Sequence, residues 1–377
     1  MSMAGNGLGP NGALPAPFAP AEALWDCEAD DTLVCRAVRQ ETHDVKTFVL
    51  APSTPGRFRF QPGQFMTYAF EIGGETLYRC YTISSPPTRP DRLSFTVKRV
   101  PGGPVSNWLH DNLRPGMRIR AVGPMGEFTS TAHPAPKYLF LSGGSGITPL
   151  MSMARTFGDL GGGEDVVFVH SARTPADIIF REELEAMARV DEAFRFVPIV
   201  ERVGPLAPSS GLRGYLTRAI LDLVAPDFRE REVFVCGPAP YMAAVRALLA
   251  EAGFDMRRHH DESFDFSALA VEEKAEAMEA ETQLEAEAAV KTYRVEFTKT
   301  RRTIEVPADM TVLEAAKRAG MRLPSSCAKG LCGTCKSKKV SGTLEMAHQG
   351  GIRQREIDAG MVLLCCSKPT SDLVIER

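Results

Sequence analysis

From Thr32 to Phe128 the chain runs in short alternating stretches of apolar and polar residues, such as KTFVLA and LSFTVKRV. PGRF, PGQF, IGG and VPGG interrupt them. A period of two with turn residues at this spacing predicts short antiparallel strands closing into a barrel or sandwich. At Lys137 the rhythm changes. KYLFLSGGSGITPLMSMARTF reads as strand, glycine turn and helix, and EDVVFVHSA and REVFVCGP read as further buried strands. The helical stretches FREELEAMAR and PYMAAVRALLAEAG accompany them. Strands alternating with helices predict a parallel sheet covered on both faces. The last segment opens with TYRVEFTK and RTIEVPADM, two alternating strands of hairpin style. TVLEAAKRAG follows, a helix with a Thr cap and a Gly stop.

These patterns divide the chain into a flexible Gly/Pro/Ala leader (1–24), an antiparallel β-barrel domain (25–134) and an α/β domain with a parallel sheet (135–264). A Glu/Ala linker (265–291) and a small α+β domain (292–377) complete it. The linker holds eight acids and two lysines without Gly or Pro, which predicts a semi-rigid, partly helical connector.

At 377 residues, with 44% apolar and 24% charged positions, the chain has the balance of a folded multidomain protein rather than a disordered one. A net charge of −3 provides no general basic field, so neither nucleic acid nor an anionic membrane is expected as a partner. No apolar run is long enough to span a bilayer, and the first twenty residues lack Lys and Arg. A cytoplasmic address is expected. Five of the nine cysteines fall within the last 51 residues, which points to metal ligation or redox chemistry rather than a disulfide scaffold.

CAKGLCGTC gives Cys327-x4-Cys332-x2-Cys335, and Cys365 follows after 29 residues. This is the spacing of plant-type [2Fe–2S] ferredoxins. A tight loop delivers three thiolates, while Gly330 and Gly333 let the backbone wrap closely enough for amides to meet sulfide charge. Zinc favours paired C-x2-C motifs, and only one is present. For the fourth ligand, VLLCCSKPTSDLVI offers Cys365 and Cys366. This tail resembles the ferredoxin segment in which the ligand precedes a proline by four residues, and Pro369 then implies Cys365. The resemblance implies a β-grasp fold for residues 292–377.

RCYTISS (79–85) resembles the flavin motif of the ferredoxin–NADP reductase superfamily. There the Arg meets a flavin phosphate, the Tyr packs on the isoalloxazine and the following hydroxyl bonds near N5. This implies Arg79, Tyr81 and Thr82 here, and a guanidinium suits a pyrophosphate. VKRVPGGPVSNWL resembles the pyrophosphate loop, with amides of Val105, Ser106 and Asn107 at a helix start. GPMGEF, with Gly123 and Gly126, resembles the turn of FAD-binding members, which favours FAD over FMN. Trp108 is expected to pack in the core.

LSGGSGITPL ends a strand and opens a helix. Gly143, Gly144 and Gly146 allow close backbone approach, and Thr148 and Pro149 begin a helix whose amides can face a nucleotide pyrophosphate. Cys236-Gly237-Pro238 resembles the superfamily's nicotinamide-side motif. Ser171 and Arg173, in HSARTP, are placed for the adenosine ribose. NADH is favoured, although an Arg there can accept the 2′-phosphate of NADPH. In DESF, Glu262 and Phe264 resemble the acidic-aromatic motif lying over the flavin, while His259 and His260 are expected to face solvent.

Together these features resemble the FAD and [2Fe–2S] reductase components of Rieske-type oxygenases. Within them, LWDCEADDTLVCRAV, DVKTFVL and LLCCSKPTSDLVIER are most similar to the subgroup serving quaternary-ammonium demethylases, glycine betaine among their substrates. The resemblance implies an oxidoreductase that takes a hydride from NAD(P)H, splits the pair at the flavin and passes single electrons through the cluster to an oxygenase. Two other readings remain open: an NADH reductase of a hybrid-cluster protein, and a non-catalytic redox sensor. The ferredoxin segment carries a net +6, with Lys329, Lys336, Lys338 and Lys339 in or after the cysteine loop. These lysines are expected to face an acidic patch on the acceptor.

Overall fold

The computed structural model describes residues 23–27, 29–202, 212–263, 291–321, 323, 330, 333, 335–348 and 351–377. Phe264, Lys329, Cys327, Cys332, nearly all of the leader and all of the linker but Lys291 lie outside the described residues.

The first domain is a six-stranded antiparallel sheet built from β1 (Thr32–Thr42), β2 (Val45–Pro52), β3 (Phe65–Ile72), β4 (Glu75–Thr82), β5 (Leu93–Lys98) and β6 (Arg118–Met125). Its order is β4-β3-β6-β1-β2-β5, and a bridge from Ile83 to Phe95 brings the two edges together into a barrel. Closure removes the exposed strand edges of an open sheet. Phe48, Tyr68, Phe70 and Phe95 fill the interior, with Phe95 stacked on Phe48 at 5.3 Å. Helix α1 (Pro104–Asn112) follows β5, and Trp108 packs on Phe70 at 5.9 Å.

The second domain is a parallel sheet. Its strands are β7 (Lys137–Gly143), β8 (Asp165–Ala172), β9 (Phe194–Val200), β10 (Leu212–Arg213), β11 (Glu232–Gly237) and β12 (His259–Ser263), in the order β10-β9-β8-β7-β11-β12. Helices α2 (Ile147–Leu160), α3 (Arg181–Val190), α4 (Arg218–Val224) and α5 (Ala239–Glu251) separate them. The strand order reverses at β7, so a crevice opens beyond the carboxyl ends of β7, β8 and β11, where open α/β sheets bind ligands. At the opposite end the fully buried Arg231 donates to Asp165 and Asp227, and this bonding holds the Asp227 carboxyl at about 2. Strands β9 and β12 were not singled out by the sequence pattern, because β9 lacks clean alternation and HHDES is polar.

The third domain has a mixed sheet of β13 (Thr292–Phe297), β14 (Arg302–Pro307), β15 (Lys336–Ser341), β17 (Met361–Leu363) and β19 (Leu373–Glu376), and a small pair, β16 (Leu344–Met346) with β18 (Ser367–Pro369). Helix α6 (Val312–Arg318) has the expected cap, since Thr311 accepts from the Glu314 amide. No helix among the described residues is long and apolar enough to cross a membrane.

Candidate redox centres

Strand β4 carries Arg79, Tyr81 and Thr82, opposite Tyr68, Met66 and Phe65 on β3. Tyr81 stacks on Phe95 at 5.3 Å with the rings 21° apart, and burial pushes its phenol well above the usual range. Thr82 is buried, and its Oγ1 has no partner among the described residues. A buried hydroxyl left unbonded costs free energy, so this one suits a group arriving from outside the chain. The flavin fits that requirement, because its ring system is edged with hydrogen-bonding atoms.

Helix α1 begins at Pro104, so the amides of Val105 and Ser106 have no carbonyl one turn earlier. The amide of Asn107 is already donated to the Gly103 carbonyl. Its side chain donates to the carbonyls of Val100 and Gly103, and the Ser106 hydroxyl accepts from the Val100 amide. These side chains hold the loop in shape and leave two amides for an anion. Gly123 (φ +131°) and Gly126 (φ +109°) turn the chain beside Phe65; an added Cβ at Gly126 would lie 3.1 Å from that ring.

In the crevice, Gly143 stands opposite Ser171, and Cys236 lies between Ser142 and Glu262 in register. An ideal Cβ on Gly146 would fall 2.3 Å from the Cys236 carbonyl oxygen, so the glycine turn rests directly on the end of β11. Gly144, at φ +52°, has nothing within 4 Å of an added Cβ, which leaves its backbone open to a pyrophosphate. Thr148 donates to the Ser145 carbonyl at 3.2 Å, and Pro149 lies within the first turn of α2. Cys236 is fully buried. Gly237 and the adjoining Pro238 abut Gly143, while Arg173 is exposed at the rim.

Tyr241 was missed by motif reading. It packs on Gly143 and Gly237, and its phenol lies beside the Ser171 hydroxyl. Its place within GPAPYM was the available signal. The crevice therefore presents two adjacent hydroxyls at the carboxyl edge of the sheet, where open α/β sheets bind ligands.

Glu262 keeps one carboxylate oxygen out of solvent with no partner among the described residues, and burial pushes the carboxyl up to about 8. The unfolded chain releases this proton near the usual carboxylate range, whereas the folded chain retains it until about 8. The stability linked to Glu262 is thus fully present in acid and is lost as pH rises through that window. Melting temperatures of Glu262→Gln and the parent protein should diverge in favour of the variant from pH 5 to 8 and then run parallel. A constant difference across that range would refute the assignment. The two histidines before it do not face solvent as expected. His260 Nε2 donates to the Glu232 carboxylate (2.8 Å) and its ring stacks on His133 at 3.7 Å, and His259 has a buried Nε2 with no partner among the described residues. Pairing of β12 with β11 draws both rings inward.

The flavin barrel and the crevice are tied together by α2. Arg155 donates to the Ser84 carbonyl at 2.5 Å and to Glu183, while the Ser152 hydroxyl donates to the Ser85 carbonyl at 2.8 Å. The helix that opens at the glycine turn is therefore bonded to the chain just beyond Thr82.

In the third domain, the Gly330 amide donates to Cys365 Sγ at 3.3 Å, and Cys335 is buried nearby in the same core. Gly330 and Gly333 adopt φ +71° and +70°. An amide aimed at sulfur and two left-handed glycines suit a loop that folds around an anionic cluster. Cys366 donates to the Leu363 carbonyl at 3.6 Å instead. One expected docking residue is corrected: Lys336 is not at the surface. It is buried, paired with Glu356 at 2.8 Å, and its ammonium stands 4.8 Å from the Tyr78 ring centroid. Lys338 and Lys339 donate to the carbonyls of Ala359 and Gly342.

Family models match each unit: an oxidoreductase FAD-binding domain over residues 33–130, an oxidoreductase NAD-binding domain over 140–247 and a 2Fe-2S iron-sulfur cluster binding domain over 295–370. The protein is an NAD(P)H-dependent flavin and iron–sulfur oxidoreductase. It is 49% identical over 343 residues to the glycine betaine monooxygenase reductase subunit of Pseudomonas aeruginosa (strain UCBPP-PA14), covering 91% of this chain and 94% of that one. Identity is 42% to the stachydrine N-demethylase reductase subunit of Rhizobium meliloti (strain 1021), covering 92% and 96%. The chain belongs to this family of FAD and [2Fe–2S] oxygenase reductase components. Phthalate dioxygenase reductase shares the three-domain fold, with a TM-score of 0.55 at 22% identity over 94% of this chain and all of that one.

Proposed function

We propose that this chain is the NADH-dependent reductase of a Rieske-type oxygenase that demethylates glycine betaine or a related quaternary ammonium compound. The names of the relatives support the acceptor, and the order of the three domains supports the route. The observation that carries the route is the bonding of α2 to Ser84 and Ser85, which sets the nucleotide crevice beside the flavin strand. When bound, FAD accepts electrons as a hydride pair and the cluster carries them singly.

In this reading Arg79 and the amides of Val105 and Ser106, on the loop pinned by Asn107, hold the flavin phosphates. Tyr81 packs on the isoalloxazine, Thr82 bonds near N5, and Gly123 and Gly126 shape the adjoining turn. Gly143, Gly144, Gly146, Thr148 and Pro149 receive the pyrophosphate of NADH. Ser171 and Arg173 receive its ribose, with Arg173 also able to meet a 2′-phosphate. Cys236, Gly237, Pro238, Glu262 and Phe264 enclose the nicotinamide against the flavin and exclude water. Cys327, Cys332, Cys335 and Cys365 hold the cluster.

Arg79→Ala should be purified largely free of FAD while keeping its iron and sulfide; loss of both together would contradict separate flavin and cluster sites. The whole reading is tested by reconstitution. NADH, the reductase, a Rieske oxygenase and glycine betaine should together release formaldehyde, the product of oxidative N-demethylation. A loaded protein that oxidises no NADH with ferricyanide would instead support the redox-sensor reading.

A further inference from the structure

The ferredoxin domain meets the flavin barrel through charges that no cofactor motif requires. Arg353, only 7% exposed, donates to the Cys27 carbonyl at 3.2 Å and to Asp31 Oδ2 at 2.9 Å. Arg355 reaches the same oxygen at 3.3 Å. Asp31 immediately precedes β1 of the barrel. Beside this pair, Lys336 is held by Glu356 and seated on the Tyr78 ring. Although burial works against ionisation of Glu356, the Lys336 ammonium and its hydrogen bonds hold that carboxyl below its usual range. Asp31, Tyr78, Arg353 and Glu356 line a small, partly open cleft of about 10 Å³ at this contact. The placement has a consequence. Lys336 directly follows Cys335, and Tyr78 directly precedes Arg79, so this contact joins the cluster loop to the flavin strand.

We propose that Arg353, Arg355 and Lys336 form a salt-sensitive latch that seats the ferredoxin domain on the flavin barrel, and that they act as positioning residues for flavin-to-cluster electron transfer. The inference rests on the flavin and cluster placements given under Proposed function. Each transfer oxidises the flavin by one electron and reduces one cluster iron from ferric to ferrous. The second transfer would follow once the oxygenase has taken the first electron from the cluster, so the hydride pair would leave as two single electrons to that acceptor. One carboxylate facing two guanidiniums makes the seat electrostatic, and Arg355 is about half exposed, so added salt weakens it. Contacts between domains of this kind open readily unless they are large and apolar.

Stopped-flow mixing of the FAD- and cluster-loaded protein with NADH separates flavin reduction from cluster reduction. Asp31→Asn keeps the shape and removes the charge. It should leave flavin reduction unchanged and slow cluster reduction about tenfold, as expected when a buried interfacial charge loses its partner. Asp31→Glu should restore most of the rate. The parent protein should slow in about 0.5 M salt, where exposed charges are screened, and the Asn variant should not. Small-angle scattering should show a larger radius of gyration for the Asn variant, matched by the parent at high salt. An unchanged cluster phase and radius in Asp31→Asn would overturn the latch. Should that variant not fold, Arg355→Ala must slow the cluster phase in the same direction, and no change there overturns it as well. Normal FAD and iron contents in these variants separate failure of the latch from failure of the cofactor placements, which Arg79→Ala and Cys365→Ser test directly.

Discussion

Replacing Cys365 by Ser is expected to abolish the visible absorption of the iron–sulfur cluster, whereas Cys366→Ser keeps it. Both residues lie in one short turn, Leu364–Cys366, but their sulfurs do different things. Cys365 Sγ accepts the Gly330 amide from the cysteine loop, which is how a protein stabilises a thiolate bound to iron. Cys366 Sγ instead donates to the Leu363 carbonyl and packs against the core of the domain. A Cβ on Gly330 would lie 2.9 Å from the His348 Cα, and the glycine's φ of +71° is left-handed, so the position favours glycine. Iron and sulfide analysis with absorption spectra of both variants decides the matter. Cluster loss in Cys366→Ser with an intact Cys365→Ser would reverse the assignment.

Gly146→Ala should cut hydride transfer from NADH to the flavin by about a hundredfold, the scale of a 1 Å misplacement at a reacting centre. An ideal Cβ there would sit 2.3 Å from the Cys236 carbonyl oxygen and 2.5 Å from the Gly237 amide nitrogen. Both obstacles are backbone within a buried parallel sheet, so neither can swing aside as a side chain does. The glycine turn must lift away from β11, and the nucleotide would lift with it. Gly158→Ala, later in the same helix, is the control. Its Cβ would meet only the Met187 methyl group at 3.8 Å, and the substitution should leave turnover unchanged or add slight stability. Stopped-flow flavin reduction at saturating NADH measures both variants. Equal rates in Gly146→Ala and the parent would show that the turn does not position the nicotinamide.

The strand runs KTFVLA, LSFTVKRV and KYLFLSG, the helix after Thr311 and the spacing of the cysteines were all legible along the chain. Each is a local property: period two exposes a sheet face, a hydroxyl caps the next turn, and a loop of fixed length brings thiolates within reach of two irons. The polar strand His259–Ser263 was not legible, because its membership of the sheet comes from pairing with β11 rather than from its own pattern. The same pairing turned His259 and His260 inward.

Side chains whose partners lie far along the chain were decided only by folding. Lys336 reads as one more surface lysine until Tyr78 and Glu356 are brought around it. Arg155 reads as an ordinary helix arginine until Ser84 and Glu183 close on it. Tyr241 acquires its buried place beside Ser171 only when two glycines from different strands pack against its ring. The sequence by itself determined the three domains and their cofactor motifs, because periodicity, turn chemistry and ligand spacing act over a few residues. Which charges join the domains, and which hydroxyls are buried, was decided by the tertiary structure. Burial and electrostatic pairing depend on distances in space that local sequence does not encode.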